Sequence, residues 1–516
     1  MIQHGDCKKK VFSYIVLIMK NRKNVIIIGG GTAGLLIANN LQDYFDVVVI
    51  EKSKYKKYPI WYRIPLLIGL LFKSEKTKYI SKREHILSNE RRIPFFDSNL
   101  LGGASIMNGC VHVFGNERQW NPILEKFNSN YEDLLESYNN LYSLRAKDKN
   151  KINLSEAFQN NISVDFVKSL NKQGVPCGDM NYSNEENCGP IFNTIKRYFR
   201  TSVLTLIKEK KFKQCINENV ESLLINNDQE VIGVKTSLRD IYSDYVILSG
   251  GVIGTCDFLL REKYKATNES NGFLTNLDIG EGVKDHTNLR VNVLTKNNIG
   301  SLNEISNSLF KKTALIFKHF SGQPTLMRGT GATTAAHLDL DKDGVVDTRI
   351  QIVQFSETGR AGSDGKLFSS SEPGFSISIT PINPESKGVI ELDGNNANVD
   401  PMYLSSENDV ALLKLALTFC LKLLNSDPLS GNVLKIEDED EIVNNPESYI
   451  ANNVFSGYHL IGGTQNAINP DFSVKNTKGL YVCDASIFDQ YAASNIHSSV
   501  VLIADIFAKK FLSSKF

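Results

Sequence analysis

A chain of 516 residues is too long for one ordinary domain, and with 41% hydrophobic and 22% charged residues its composition is neither that of a disordered nor of a membrane-embedded protein. Lys plus Arg number 58 against 57 for Asp plus Glu, which excludes a net field for nucleic acid or an anionic membrane and points to a small-molecule partner. The eight cysteines contain no CxxC, so reduced thiols, Cys177 and Cys188 included, are expected in a cytoplasmic setting, with no metal site.

Residues 1–20 read as an extension, disordered or loosely packed. Its apolar run, Val11 to Met19, covers nine residues where about 20 span a bilayer, and Lys20, Arg22 and Lys23 stand where a signal peptide carries small cleavage-site residues. Peripheral membrane contact through residues 8–20 stays open. Next, "NVIIIGGGTAGLLIANNLQDYFDVVVIEKS" predicts a strand, a glycine turn, a helix and a second strand ending in an acid. Gly29, Gly31 and Gly34 fit GxGxxG, one for the tight turn, one for backbone approach to a pyrophosphate and one for close helix packing. Glu51, 17 residues after Gly34, stands where an acid accepts the ribose hydroxyls of a dinucleotide. "DYVILSGGVIGTCDFLL" offers a further strand, Tyr245 to Leu248, whose glycines start a helix on the same sheet. "GTGATT", Gly329 to Thr334, has no apolar strand before it and reads as a loop. With one complete fingerprint, a second nicotinamide-binding unit is not expected.

From about Ser301 to Asn445 the pattern changes. "RIQIVQF", "FSISITPI" and "GVIELDG" alternate at period two, predicting antiparallel strands with one wet face, and "ENDVALLKLALTFCLKLL" predicts a helix. The acids Glu437 to Glu441 read as a solvated face. "DLDKDGVVD", Asp339 to Asp347, matches the start of a calcium loop but has Ile350 where the bidentate Glu belongs, so a DG hairpin turn is preferred.

Together these residues resemble the glucose–methanol–choline (GMC) family of FAD-dependent oxidoreductases, from about Asn24 to the C-terminus. "LLGGASIMNGCVHVFGNERQW" carries the family's flavin loop, whose positions fall on Gly102, Gly103, Ser105, Asn108 and Gly109. Further matches are Val220 in "NENVESLL", "VKDHTNL", "PESKGVIELDGNNANVDPMYLS" and the closing "GLYVCDASIFDQYAASNIHSSVVLIADIFA", with Asp484 and Ala485 near ribityl and pyrophosphate. The resemblance implies an α/β protein of two domains. Residues 21–118, 195–300 and 446–516 would form a discontinuous Rossmann-like FAD-binding domain, and 119–194 and 301–445 an inserted, mainly antiparallel-sheet substrate domain. Some relatives bind FAD covalently through a histidine before the Asn; here that position is Met107, so dissociable FAD is expected.

The family oxidises alcohols by proton loss from the hydroxyl and hydride transfer to flavin N5. A hydroxyl is a very weak acid, so a base within hydrogen-bond reach must take its proton, and a neutral imidazole suits that task. The resemblance puts His459 in "SGYHLIGGTQ" in that role and Asn495 beside it, with His497 as the alternative partner and His286 as a structural residue. The glycines at 462 and 463 read as room beside the flavin, which favours a bulky apolar alcohol over a sugar. Electrons would pass to oxygen or to a quinone or similar carrier. A lyase or photodecarboxylase on the same scaffold, or a non-catalytic structural member, are the competing readings.

Overall fold

The computed structural model describes residues 22–516 apart from 56, 58, 69–79, 87–91, 145–147, 149, 208, 269–273, 357–371 and 395. The segment 8–20 lies outside the described residues. Within them no helix is long and apolar enough to cross a membrane.

Val25, Ile26 and Ile27 are β-branched and fully buried, which suits the Asn24–Ile28 strand to the middle of a sheet covered on both faces. That sheet has five strands in the order Lys213–Ile216, Asp46–Glu51, Asn24–Ile28, Tyr245–Leu248 and Leu480–Val482, every neighbouring pair parallel. The chain adds strands first on one side of Asn24–Ile28 and later on the other. A crevice therefore opens at the carboxyl ends of the strands, where open α/β sheets bind their ligands. The helix Thr32–Leu41 covers one face with the closing helix Ile496–Lys515, and Asn40 Nδ2 donates to Asp505 Oδ1 at 2.8 Å between them.

A second sheet of seven strands is antiparallel, with Ile350 opposite Ile379 and Ile379 opposite Leu289. Leu289, Val291, Ile350, Ile352, Ile377 and Ile379 form its apolar face and share a core with the Glu407–Leu424 helix. The expected wet face is not wet. Arg349, Ser376 and Ser378 on the opposite face are buried: the Tyr491–Asn495 loop covers Arg349, while Ser376 donates to Phe355 O and Ser378 to Asn288 Oδ1. Period two shows that the faces differ; it does not show what covers the polar one.

Two smaller readings also change. "GTGATT" is loop only as far as Gly331, and Ala332 opens the strand Ala332–Leu338. The acidic hairpin spans Asp339 to Asp347 between register partners Leu338 and Thr348, longer than a two-residue DG turn. Asp339, Asp341 and Asp347 bring carboxylate oxygens within 4.8 Å of one another, and they accept N–H groups of Leu340, Asp341 and Gly344, so the loop closes on its own backbone. The described cysteines are free thiols, all buried except Cys177, whose backbone pairs with that of Cys188 in an isolated β-bridge.

At Gly34 a Cβ would lie 2.0 Å from the Gly29 carbonyl oxygen, backbone against backbone with no flexible side chain to yield. Gly34→Ala should destabilise the protein by about 1–3 kcal/mol, the usual cost of overpacking. A denaturant midpoint equal to that of the parent would contradict this contact.

Candidate active site

The glycine turn after the first strand leads into a helix without a side-chain cap. Gly31 provides no capping side chain and the first turn holds no acid, so the first-turn N–H groups ahead of Leu35, whose own N–H bonds Gly31 O, lie with the positive end of the helix dipole at the crevice. The flavin-loop candidate lies against the same turn: Gly102 N–H donates to Gly30 O at 2.8 Å, and a Cβ on Gly103 would be 3.0 Å from Gly31 Cα. Gly102 has φ +105°, a conformation in which a side chain would be strained. Glu51 ends its strand buried, accepting Gly30 N–H at 2.6 Å on one oxygen and Ser53 N–H at 2.8 Å on the other. Its backbone carbonyl takes Glu218 N–H at 3.2 Å, which docks the start of the Val220–Ile225 strand beside it.

The flavin loop is ringed by buried polar atoms without protein partners: Nε and Nη2 of Arg200, the amide of Asn193 and Nε2 of His497. Such groups are costly unless something satisfies them. Glycines that allow close approach, an uncapped helix start and orphaned donors around one crevice fit a dinucleotide with a polar heterocycle. Asn108 is more constrained than the sequence suggests, since its Oδ1 already accepts from Cys110 N–H and Arg200 Nη1. Ser105 is turned inward, donating to Gly102 O at 2.7 Å. Gly109 accepts from Thr330 Oγ1 at 3.3 Å. Asp484 ties the last parallel strand to the glycine-started helix, accepting Gly251 N–H at 2.9 Å and Thr255 Oγ1 at 2.5 Å, while Ala485 O accepts Gly462 N–H.

His459 is held at both ends of its backbone. Asp285 Oδ1 accepts its N–H at 2.7 Å, and Tyr491 OH donates to its carbonyl at 3.0 Å. Asp285 is fixed in turn by the hydroxyls of Ser456 and Tyr403; burial pushes its carboxyl up to about 6 against those stabilising bonds. Tyr458, the residue before, has φ +60°, a strained conformation for an aromatic residue and one that concentrates at functional sites.

The protonation of the ring follows from donors of known sign. Arg349 can only donate, and its Nη1 lies 2.6 Å from Asn495 Oδ1 and 3.1 Å from Ser494 Oγ. The Asn495 amide is thereby oriented with its NH₂ toward His459, and Nδ2 meets His459 Nε2 at 3.2 Å. Nε2 must accept, so it carries a lone pair. The proton of the neutral ring then sits on Nδ1 and is donated to His286 Nδ1 at 2.9 Å, and His286 donates from Nε2 to Ile382 O at 2.7 Å. His459 is half-buried, with protein packed closely round its ring. Burial, followed by the Arg349 charge, lowers its pKa to about 4. Burial also lowers Arg349 itself to about 10, still charged at neutral pH.

Residues 384–504 match the family model described as GMC oxidoreductase, a span that contains both His459 and Asn495. Over 93% of its length the chain is 22% identical to glucose dehydrogenase [FAD, quinone] of Drosophila pseudoobscura pseudoobscura, covering 85% of that protein. It is 21% identical to alcohol dehydrogenase [acceptor] of Pseudomonas putida, covering 93% of this chain and 94% of the relative. The chain is thus similar to GMC oxidoreductases along most of its length, and its C-terminal part matches their family model. Solved structures agree in fold: the chain superposes on formate oxidase with TM-score 0.81 at 18% identity over 96% of this chain and 99% of that one. Pyridoxine 4-oxidase from Mesorbium loti gives TM-score 0.80 at 16% identity over 95% and 99%.

Of the two partners considered for His459, the structure puts Asn495 against it, whereas His497 faces the Arg200 charge and is lowered to about 4 by burial and by that charge. The glycine pair has a different meaning from the one expected. A Cβ on Gly462 would lie 2.6 Å from Gly282 O and one on Gly463 2.5 Å from Cys256 Sγ, so both glycines serve packing inside the protein and carry no information on substrate size. Sequence reasoning missed Arg349 altogether. Its signal was a lone arginine at the head of "RIQIV", on a strand otherwise suited to full burial. Arg349→Met should raise the titration midpoint of His459 above about 4 by removing the second cause of its lowering; an unchanged or lower midpoint in histidine NMR would contradict this.

Proposed function

We propose that the chain is a GMC oxidoreductase that oxidises the CH–OH group of a small-molecule alcohol, with His459 as general base and Asn495 holding the alcohol oxygen. The reading is carried by one observation: the Nε2 lone pair of His459 and the Nδ2 hydrogens of Asn495 converge at 3.2 Å in the crevice, oriented by Arg349. A hydroxyl set against this pair donates to Nε2 and accepts from Nδ2. As the O–H bond weakens, charge grows on the oxygen, and an amide polarised by a buried guanidinium is already in place to stabilise it. Dissociable FAD, when bound, supplies the acceptor for the hydride that leaves the carbinol carbon.

This chain's own residues would hold that group. The Gly29–Gly31 turn and the uncapped helix after it take the pyrophosphate. Glu51, whose two oxygens each keep a lone pair beyond their backbone bond, takes the ribose hydroxyls, and the Val220 backbone meets the adenine end. The Gly102–Gly109 loop, with Arg200 behind Asn108, faces the ring. Met107 has no nucleophile for a covalent link.

Mixed anaerobically with a panel of alcohols, the flavin-loaded protein should bleach with its substrate, and admitting air then separates oxygen from a quinone or other carrier as acceptor. His459→Ala should keep its flavin and lose about 10²–10⁴-fold in the reduction rate, the usual worth of a positioned base. A rate equal to the parent's would remove His459 from the mechanism. Because the base acts neutral and its pKa is lowered to about 4, kcat/KM should rise with pH through about 4 and be level above it. An acid limb near the ordinary histidine value would show that Arg349 and burial do not act on this ring.

A further inference from the structure

The helix Leu309–Phe320 reverses the usual amphipathic arrangement. Leu309, Phe310, Thr313, Ile316, Phe317 and Phe320 share one stripe at helical spacing, and such a stripe normally faces the core. Here it faces solvent: Phe310 is 82% exposed and Phe317 75%, and the one side chain of the helix that is buried is His319. What anchors the helix is polar, with Ser308 Oγ capping Lys311 N–H and His319 bonded to Thr325 Oγ1 at 3.1 Å and Tyr198 O at 3.3 Å. Lys311, Lys312 and Lys318 flank the stripe and no acid lies within the helix, so its charge is +3, with Lys311 Nζ 3.4 Å from Glu304 Oε1 of the preceding helix and Lys312 and Lys318 as the rim cations.

The stripe is continuous with a second exposed apolar element. Phe320 packs on Tyr198 at 5.6 Å between ring centroids, Tyr198 lies beside Phe199, and the Arg63 guanidinium stands 5.0 Å over the Phe199 ring. Arg63 ends the turn that carries the exposed Ile60 and Trp61. The next residue of the same hairpin, Arg200, donates to Asn108 in the flavin loop. One corner of the molecule thus carries aromatic and aliphatic side chains edged by cations, a short step from the crevice.

We propose that this corner docks on an anionic lipid bilayer, the Leu309–Phe320 helix lying in the plane of the interface. Apolar side chains enter the headgroup region, lysines at the rim meet anionic headgroups, and a helix of 12 residues lies on the surface without crossing it. The near-zero net charge of the chain does not oppose this, since attraction over a Debye length depends on the local cluster. The inference stands apart from the reaction assigned to His459.

Flotation of the flavin-loaded full chain with phosphatidylcholine–phosphatidylglycerol vesicles tests it. The protein should float with these, float less with phosphatidylcholine alone, and detach as salt rises. Of the two tryptophans, Trp61 is exposed and Trp120 buried, so bromolipid quenching of the exposed one should accompany binding. Phe310→Ser with Phe317→Ser should lower partitioning at least about tenfold while flavin content and unfolding midpoint stay at parent values. Absence of binding by the parent would overturn the proposal. So would undiminished binding of the double variant, as if residues 8–20 were the anchor, or a parent dimer in sedimentation that the variant dissolves, which would make a second copy the occupant.

Discussion

The buried guanidinium of Arg349 is the constraint on which the rest of the site depends. A cation in the interior is costly unless its donors find acceptors, and here Nη1 meets both Asn495 and Ser494 while Nε is buried without a protein partner. That demand fixes which atom of the Asn495 amide is oxygen, and the amide fixes which nitrogen of His459 is free. Each assignment leaves no second choice for the next, down to the Ile382 carbonyl. An imidazolium at His459 would put an N–H against the Asn495 NH₂, so geometry opposes the charged form in the same direction as burial does.

The two sheets have complementary parts in this. The parallel sheet provides a crevice and the uncapped helix start, both consequences of where its strand order reverses. The antiparallel sheet presents a buried polar face with Arg349 on it. The closing segment runs between them, donating Tyr491 to the His459 backbone and Asn495 to its ring before entering the last helix. The base is consequently pinned by Asp285 and His286, just before a strand of the antiparallel sheet, and by Tyr491 and Asn495 of the closing segment.

Much of this was legible in the sequence where the constraint is local. The run from Asn24 to Glu51 shows its strands by β-branching and its turn by glycines that the fold uses for close approach, as the 2.0 Å clash at Gly34 illustrates. Resemblance to a family pointed to His459 and Asn495, because those positions lie at fixed offsets from a closing helix. What could not be read is what depends on contacts distant in the chain. Arg349 is 146 positions from Asn495, and nothing local marks its direction. The polar faces of "RIQIVQF" and "FSISITPI" alternate just as solvated strands do, although Arg349, Ser376 and Ser378 on them are buried. Gly462 and Gly463 were assigned to the flavin for the same reason: a missing Cβ shows that something is near, and only the fold shows that it is Gly282 and Cys256.

The central claim is that His459 rests as a neutral ring with its lone pair on Nε2. Nitrogen-15 NMR of histidine-labelled protein at neutral pH observes this directly, since protonated and unprotonated ring nitrogens resonate far apart. A protonated Nδ1 and an unprotonated Nε2 are expected for the resonance that disappears in His459→Ala. A proton on Nε2, in either the opposite tautomer or the imidazolium, would contradict it.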